Sequence, residues 1–244
     1  MHLGRNVTVV IPTYNERENI EALLGKLIHR LPEVSIVVVD DSSPDGTGSV
    51  VSRLALTFPN IRLITRENKN GIGPAYLQGF AQALSHRPEF VVQMDADGSH
   101  SVEDLTALLS SAKKGLLIVG SRWIQGGAVI DWPRKRIALS RVGNLLARWA
   151  LPTKVRDATG GFRIHDGQML ELALAKGIVS DGYAFQLEVL RNHLLAGTKV
   201  VEVPITFHNR THGTSKMSLG IAFEAVVFLL KVLRQRMFKK ELQI

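Results

Sequence analysis

One stretch of the sequence decides the fold: Phe90-Val91-Val92-Gln93-Met94-Asp95-Ala96-Asp97. Its first half is a mainly apolar run with the length of a buried strand, and two acids follow where that strand would end. Ser101 with Asp104 then predicts the capped start of a helix. This order places the two carboxylates at the carboxyl edge of an open α/β sheet, where such sheets bind ligands. There the pair can bind a divalent cation together with a diphosphate.

A second acidic loop follows another predicted strand. Asp40 and Asp41 come directly after the β-branched run at residues 35–39. Either loop could be an ordinary capped turn, because a lone Asp-x-Asp pair is a weak motif and Asp, Ser, Pro and Gly are common turn residues. Acids at strand ends also accept hydrogen bonds from a nucleobase or from ribose hydroxyls in nucleotide-binding folds. Because both loops share one edge of the sheet, they predict a nucleotide site.

The rest of the chain fits the same architecture. The runs at 7–11 and 35–39 frame a helix whose apolar residues recur at helical spacing, and Asn15 with Glu18 predicts its N-terminal cap. Further strands are predicted at 61–64, 90–94, 116–119 and 199–203, and further helices at 75–84, 102–112 and 137–150. The fold class is therefore α/β, with a mostly parallel central sheet flanked by helices.

Composition limits the alternatives. The chain has 244 residues, 45% of them hydrophobic, which predicts one α/β domain at 1–216 and a C-terminal extension at 217–244. It has no Cys, which excludes disulfides and thiolate chemistry and allows a cytosolic location. No signal-peptide pattern precedes the first strand. A net charge of +8 suits nucleic acid, an anionic membrane surface or a phosphorylated substrate.

Two common nucleotide motifs are missing. Pro12-Thr13-Tyr14-Asn15-Glu16 stands where a dinucleotide-binding fold would carry G-x-G-x-x-G after the first strand. The chain also lacks G-x-x-x-x-G-K-[ST], which excludes a P-loop NTPase.

The C-terminal extension predicts an amphipathic helix. One face would carry Phe223, Val226, Val227, Leu230, Leu233 and Met237, and a basic run follows it at Arg234, Arg236, Lys239 and Lys240. The apolar stretch is shorter than the ~20 residues of a membrane span. Two interpretations stay open: a core helix packed on the sheet, or a helix that lies on an anionic membrane surface or docks on a membrane partner.

Taken in order, the motifs resemble the family 2 inverting glycosyltransferases of the GT-A fold, and more narrowly the polyprenyl-phosphate (dolichyl-phosphate) mannose synthases. The motifs are Ile11-Pro12-Thr13-Tyr14-Asn15-Glu16, Val39-Asp40-Asp41-Ser42-Ser43-Pro44-Asp45-Gly46-Thr47, Asp95-Ala96-Asp97, Gly120-Ser121-Arg122, Asp157-Ala158-Thr159-Gly160-Gly161-Phe162-Arg163, Gly182-Tyr183-Ala184-Phe185-Gln186-Leu187-Glu188 and Glu202-Val203-Pro204-Ile205. The similarity runs from about Val7 to Lys216.

The resemblance implies a donor site for GDP-mannose. Pro12, Tyr14, Glu16, Val38 and Asp40 would line the guanosine site, with Asp95 and Ala96 closing over it. Asp97 would be catalytic as the ligand of Mg²⁺ or Mn²⁺, and Arg210 and Lys216 would hold the diphosphate. Ser99 stands where some relatives place a metal-binding Gln, and it is a shorter ligand.

The resemblance also implies an acceptor site for a polyprenyl or dolichyl monophosphate. Arg122 and Arg136, both counted as catalytic, would bind its phosphate with Ser140. Such a phosphate is mostly ionised at neutral pH, so it needs no strong general base. In-line attack would invert the anomeric carbon and give a β-linked product. The enzyme would be cytoplasmic, peripheral at the cytoplasmic face of a membrane or held by a membrane-anchoring protein, with no nucleic acid as partner.

Three alternatives stay open. The same fold could use UDP-glucose or another sugar nucleotide. Arg122 and Arg136 could be solvated surface charges, the more common environment of Arg. The chain could also be a non-catalytic basic module for membranes or nucleic acid, although three Tyr and no aromatic cluster argue against single-strand binding.

Overall fold

A seven-stranded sheet forms the centre of the molecule. The computed structural model describes residues 4–151, 153–182, 184–209 and 219–241. The strands are β1 (Val7–Thr13), β2 (Ser35–Asp40), β3 (Ile61–Thr65), β4 (Phe90–Gln93), β5 (Leu116–Ser121), β6 (Ala128–Val129), β7 (Arg163–Asp166), β8 (Lys199–Pro204) and β9 (Thr206–Phe207). The helices are α1 (Arg17–Arg30), α2 (Thr47–Thr57), α3 (Ile72–Leu84), α4 (Val102–Ser111), α5 (Arg134–Ala150), α6 (Gly167–Leu174), α7 (Ala184–Leu195) and α8 (Leu219–Glu241).

The strand order is β3-β2-β1-β4-β7-β5-β8, and a separate two-stranded sheet pairs β6 with β9. Every neighbouring pair in the large sheet is parallel except those of β7, which runs antiparallel to β4 and β5. The predicted α/β class with a mostly parallel sheet is confirmed. Because the chain moves outward from β1 in both directions, β1 and β4 form the switch point where open α/β sheets bind ligands.

Helices cover both faces of the sheet. Apolar side chains of α1, α2 and α4 pack on one face, and those of α3 and α7 pack on the other. A third cluster joins α5, α7 and α8 to β5, with Ala147, Leu190, Leu229 and Val232 buried between them. Among the described residues, helix α8 contacts α5 and α7, and its buried side chains belong to the same cluster as those of β5.

No helix among the described residues combines the length and the apolar character needed to cross a bilayer.

The start of α1 differs from the prediction. The N-cap residue is Glu16 instead of the predicted Asn15, and its side chain makes no cap bond. The neighbouring acidic loop supplies the acceptors instead, since Asp45 accepts from Arg17 N–H and the Thr47 hydroxyl accepts from Glu16 N–H, each at 3.0 Å. The cap at Ser101 is confirmed, because its hydroxyl accepts from Asp104 N–H at 2.9 Å.

Strand β7 was not predicted, because Arg163 and His165 break its apolar pattern. Both side chains are fully buried in this central strand. Arg163 donates to the carbonyls of Gly160, Ala158 and Gln186 at 2.7–2.9 Å, so its polar atoms are satisfied without solvent. Burial still lowers the pKa of Arg163 to about 10.

Candidate active site

A cavity of about 400 Å³ opens at the carboxyl ends of β1 and β4. Its lining includes the ends of both strands, the β3–α3 loop and the loop before α7, with Pro12, Thr13, Tyr14, Glu16, Asp41, Lys69, Gly71, Ile72, Ala75, Asp95, Ala96, Asp97, Asp181 and Gly182. Six predicted donor residues therefore meet in one place: Pro12, Tyr14, Glu16, Asp95, Ala96 and Asp97. We refer to this space as the donor cavity.

Two glycines let a distant loop close the donor cavity. Gly73 N–H donates to the Asp181 carbonyl at 2.9 Å. A Cβ on Gly71 would lie 2.5 Å from the same carbonyl oxygen, and the φ of Gly71 is +95°. Only glycine permits both this close approach and this backbone conformation without strain.

The acids of the Asp95 loop are held by neighbouring side chains. The buried Tyr76 hydroxyl donates to Asp95 Oδ1 at 2.8 Å, and Asp95 N–H donates to His100 Nδ1 at 3.1 Å. Burial lowers the pKa of His100, which keeps its imidazole neutral and able to accept. Burial likewise raises the pKa of Tyr76 well above 10.0, so its hydroxyl stays a donor. Both groups fix the direction of Asp95.

Ser99 contacts Asp97 rather than the cavity. Its hydroxyl and its N–H both donate to Asp97 Oδ1, at 2.6 and 3.0 Å, and Ser99 is only 1% exposed. The Ser99 hydroxyl therefore orients Asp97. Its role as a metal ligand stays a prediction, because a hydroxyl that donates its proton keeps oxygen lone pairs that can bind a cation. Asp97 itself is also buried, although it lines the cavity.

The carboxylates of the donor cavity could bind a metal ion together with a substrate phosphate. Within the described ranges, no three His, Asp or Glu side chains converge as a closed metal cage. Asp95 and Asp97 nevertheless line the same cavity. Mg²⁺ is commonly held by one or two carboxylates together with substrate phosphates and water. The donor set is therefore compatible with a site that a diphosphate completes.

The second acidic loop presents Asp41, not Asp40, to the donor cavity. Asp40 accepts from the hydroxyls of Thr13 and Ser43, at 2.7 and 2.6 Å, and ties β2 to β1. Val38 is fully buried in the core and does not belong to the cavity lining. These two predicted residues lie behind the cavity wall, and Asp41 takes their place.

Two cations accompany Asp41. Arg66 forms a buried ion pair with it at 2.9 Å, and Lys69 Nζ lies 3.9 Å from the ring centroid of Tyr14. Burial raises the pKa of Asp41, and Arg66 opposes that rise. Sequence reasoning overlooked Arg66 and Lys69, since no motif marks them.

On the other side of β4, Arg122 is buried in a bidentate ion pair. Its Nε and Nη2 donate to the two carboxylate oxygens of Asp157 at 2.7 and 2.6 Å, and its N–H donates to Asp157 at 2.9 Å. Arg122 also donates to the Thr159 hydroxyl at 3.2 Å. The interpretation of Arg122 as a solvated surface charge is wrong, because the residue is 8% exposed.

Helix α5 is fastened to the loop that carries Asp157. Asn144 donates to the Thr159 hydroxyl at 3.0 Å and accepts from Thr159 N–H at 3.1 Å. The same side chain donates to the carbonyl of Ser140, one turn earlier. Ser140 therefore lies on the helix that this loop positions.

One indole ring brings together the two predicted acceptor cations. The guanidinium carbon of Arg136 lies 3.8 Å from the ring centroid of Trp132, and that of Arg122 lies 5.4 Å from it. Phe207 contacts Trp132 edge-on, and it contacts His100 of the donor side in the same way. Phe207 therefore connects the two halves of the site.

A second cavity, of about 660 Å³, lies beside Arg122. Within the part of the chain that the structure describes, its lining contains no acid. Four arginines contribute to it: Arg122, Arg141, Arg148 and Arg156. The other lining residues are Trp123, Ile124, Gly127, Ala128, Val129, Ile137, Asn144 and Leu145. We refer to it as the basic cavity. Helix α5 supplies part of this lining, and it also carries Arg136 and Ser140, which are not among the lining residues. Arg210 and Lys216 lie outside the described residues.

Comparison with known proteins decides the family. The model of the glycosyl transferase family 2 domain matches residues 8–171. The chain belongs to glycosyl transferase family 2. This glycosyltransferase is 44% identical over 212 residues to a polyprenol monophosphomannose synthase of Mycolicibacterium smegmatis, covering 86% of the chain and 80% of the relative. It is 41% identical over 221 residues to an undecaprenyl-phosphate mannosyltransferase of Micrococcus luteus, covering 91% of each.

Solved structures agree on the fold. The glycosyltransferase resembles glucosyl-3-phosphoglycerate synthase of Mycobacterium tuberculosis, solved with Mn²⁺, UDP and glucosyl-3-phosphoglycerate, with a TM-score of 0.66, 21% identity and coverage of 94% of this chain and 80% of the other. It resembles mannosyl-3-phosphoglycerate synthase of Rubrobacter xylanophilus with a TM-score of 0.66, 20% identity and coverage of 94% and 74%. These neighbours establish the GT-A-type α/β architecture of the glycosyltransferase.

Proposed function

We propose that this glycosyltransferase transfers mannose from GDP-mannose to a polyprenyl monophosphate and forms a β-linked product. Two relatives with more than 40% identity are named for mannosyl transfer to such lipids. The observation that carries the proposal is the pairing of an acid-lined donor cavity with a basic cavity that is also apolar. A nucleotide sugar and a lipid phosphate would occupy these two spaces.

Asp41 supports guanine as the donor base. A guanine ring offers two adjacent N–H donors, and a carboxylate can accept both. Asp41 faces the cavity with Arg66 paired to it, and Lys69 and Tyr14 lie on the same wall. Uracil offers a single ring N–H, so the same carboxylate would favour GDP over UDP.

Asp97 would hold Mg²⁺ or Mn²⁺, with Ser99 orienting its carboxylate. When bound, such an ion offsets the negative charge that develops on a leaving diphosphate. Tyr76 and His100 keep the neighbouring Asp95 in place at the same loop. Arg210 and Lys216 stay predicted diphosphate ligands.

Arg122, Arg136 and Ser140 would bind the acceptor phosphate. Asp157 holds Arg122 in place, and Trp132 supports both guanidinium groups. An ionised phosphate oxygen attacks the anomeric carbon, the bond from that carbon to GDP breaks, and GDP leaves. The attack from the opposite side inverts the α-linked donor to a β-linked product. Because the phosphate is already mostly ionised near neutral pH, no general base is required.

The apolar tail of a polyprenyl phosphate would lie in a membrane, so the enzyme would act at the membrane surface. Helix α8 exposes Val226, Val227 and Leu230 and carries basic residues along its second half. We propose peripheral attachment on these grounds, at the cytoplasmic face or through a membrane-anchoring partner.

The function is tested by incubating the full chain with a polyprenyl phosphate, Mg²⁺ or Mn²⁺, and either GDP-mannose or UDP-glucose. With GDP-mannose, mass spectrometry should show that the lipid gains the mass of one hexose, and NMR should show that the hexose is β-linked. Addition of EDTA should abolish the product. A lipid glycosylated from UDP-glucose but not from GDP-mannose would overturn the donor assignment, and an unmodified lipid under all conditions would overturn the acceptor.

A further inference from the structure

Strand β8 carries an acid that lines neither the donor cavity nor the basic cavity. This acid, Glu202, opens the motif at 202–205. Because successive side chains of a strand point to opposite faces of the sheet, Glu202 faces the same side as Val200. Val200 packs against the cluster that joins α5, α7 and α8 to β5. The Glu202 carboxylate therefore lies on the side of the sheet where α5 packs.

The two oxygens of this carboxylate accept from two successive backbone N–H groups. Arg156 N–H donates to Glu202 Oε2 at 2.8 Å, and Asp157 N–H donates to Glu202 Oε1 at 2.9 Å. A carboxylate suits such a pair of donors, because both of its oxygens accept. The amide of Gln has one acceptor oxygen, and its NH₂ group would face the second N–H. Glu202 therefore joins the loop between α5 and β7 to β8, the strand at one end of the large sheet.

Asp157 continues the connection from Glu202 to the acceptor half of the site. Its carboxylate accepts from Nε, Nη2 and the backbone N–H of Arg122 at 2.6–2.9 Å. The Asp157 side chain is completely buried, so its packed surroundings leave it little room to reorient. A displacement of the Asp157 backbone would therefore move the carboxylate that orients the Arg122 guanidinium.

The other N–H held by Glu202 belongs to a second arginine of the basic cavity. Arg156 lines this cavity together with Arg122. The register of the sheet brings Glu202 close to them, because Glu202 pairs with Val119 of β5 and Arg122 follows directly after β5 ends. One carboxylate outside the cavity thus holds the backbone of one lining arginine and, through Asp157, the side chain of another.

We propose that Glu202 is a positioning residue for the acceptor phosphate. It holds the loop at Arg156 and Asp157, and Asp157 in turn holds the Arg122 guanidinium at the wall of the basic cavity. The proposal rests on the proposed function for the identity of the ligand, whereas the connection from Glu202 to Arg122 is a property of the fold. Because Glu202 lines neither cavity, its loss should weaken binding of the acceptor and leave binding of the donor nearly unchanged.

Two variants of Glu202 remove the connection in steps. Glu202→Gln keeps one acceptor oxygen for the two N–H groups, and Glu202→Ala keeps none. Lys199→Ala serves as the matched control, because Lys199 lies on the same strand and its side chain is exposed. All measurements use the full chain at a temperature where every variant is folded. If Glu202→Ala does not fold, Glu202→Gln carries the same measurements.

Hydrogen exchange followed by NMR tests the connection without any substrate. In Glu202→Ala, the amides of Arg156 and Asp157 should exchange at least fivefold faster than in the wild type. The amide of Arg122 should also exchange faster, because it donates to the Asp157 carboxylate. The amides of α1 should keep their wild-type rates, since a local opening does not reach them. Faster exchange throughout the chain, or wild-type rates at Arg122, overturns the proposal.

Kinetics with a water-soluble short-chain polyprenyl phosphate tests the purpose of the connection. The KM for this acceptor should rise about tenfold in Glu202→Ala and about threefold in Glu202→Gln. The KM for GDP-mannose should stay within about twofold in both, and Lys199→Ala should change neither value. A rise of both KM values by the same factor indicates a general structural role and overturns the proposal.

A double-variant cycle tests whether Glu202 acts through Asp157. Residues that act on one another show effects that do not add. Glu202→Ala combined with Asp157→Asn should therefore raise the acceptor KM by less than about twofold beyond Asp157→Asn alone. Independent, multiplied effects contradict the proposal. If the wild-type chain makes no lipid product, the proposed function fails, and hydrogen exchange still decides whether Glu202 positions Arg122.

Discussion

Two buried Arg–Asp pairs face their cavities in opposite ways. In the donor half, Asp41 lines the cavity and Arg66 does not; in the acceptor half, Arg122 lines the basic cavity and Asp157 does not. Both pairs are nearly inaccessible, with side chains 0–9% exposed. Each half therefore contains one Arg–Asp pair, but the donor cavity is lined by the acid of its pair and the basic cavity by the cation of its pair.

Under the proposed function, this difference would let one sheet edge recognise two unlike substrates. A carboxylate suits the N–H donors of a base, whereas a guanidinium suits a phosphate. The hidden partner keeps each charge in place. Asp157 holds Arg122 by three hydrogen bonds, while Arg66 holds Asp41 by one, so the acceptor pair is the more firmly fixed.

The largest effect expected is that of Asp97→Asn. The variant keeps the shape of the side chain but removes the charge that would bind the metal ion, so turnover should fall at least ~100-fold, equivalent to several kcal/mol of lost charge stabilisation. Initial rates with saturating substrates measure this effect, and circular dichroism checks that the fold is intact. If the variant folds and keeps most of its activity, Asp97 does not hold a catalytic metal ion.

The second effect compares the two ion pairs. Asp157→Asn leaves the buried Arg122 without its counter-charge and should lower the free energy of unfolding by about 3 kcal/mol or more. Asp41→Asn should cost less, because burial already penalises the charged form of Asp41 and raises its pKa. Urea denaturation measures both, with Arg53→Ala as a control for an exposed pair worth under ~1 kcal/mol. If the two Asn variants lose the same free energy of unfolding, Arg122 is not held more firmly by Asp157 than Asp41 is held by Arg66.

A smaller effect is expected at Trp132. Trp132→Leu removes the ring on which Arg136 stacks, so the KM for the lipid phosphate should rise about 5- to 30-fold, in line with ~1–2 kcal/mol for a desolvated cation–π contact. Trp132→Phe retains an aromatic face and should restore most of the loss. A fall in kcat with KM unchanged, or no rescue by Phe, would indicate that Trp132 does not position the cation.

The smallest effect is a pH dependence of GDP binding. Burial raises the pKa of Asp41 above its ordinary 3.8, so the carboxylate loses its charge at a higher pH than an exposed Asp would. GDP affinity without metal should therefore fall several-fold as the pH drops through this raised pKa. Asp41→Asn should flatten the response in a calorimetric titration. The same profile in both proteins would mean that Asp41 does not contact the base.

The raised pKa of Asp41 also makes the stability of the fold depend on pH. Folding makes Asp41 easier to protonate than in the unfolded chain, so its contribution to stability is greatest below pH 3.8 and is lost as the pH rises through the folded-state pKa. Asp41→Asn should remove this contribution.

Local patterns predicted the donor half better than the acceptor half. Residues 90–97 specify a strand followed by an acidic loop, and Asp95 and Asp97 lie in the donor cavity as expected. Asp41 was harder to distinguish from Asp40, because only the register of β2 with β1 decides which acid pairs with Thr13. A sequence pattern does not specify that choice.

The acceptor half depends on contacts between distant residues. Arg122 and Arg136 were found as motif residues, but the partner of Arg122 comes 35 residues later in the chain. A further long-range contact lies outside both cavities: a ring nitrogen of the buried His193 is 2.9 Å from one of His165, and burial lowers the pKa of His193 to about 3. Such partners become evident only when the strands and helices have packed.

The central claim is that the two ion pairs serve different substrates, and a crossed kinetic measurement tests it most directly. The KM for GDP-mannose and the KM for the polyprenyl phosphate are determined for Asp41→Asn and Asp157→Asn in one assay, at a temperature where both variants are folded. The account predicts that Asp41→Asn raises chiefly the donor KM and Asp157→Asn chiefly the acceptor KM. If both variants raise the same KM, or if the two effects are exchanged, the account is contradicted.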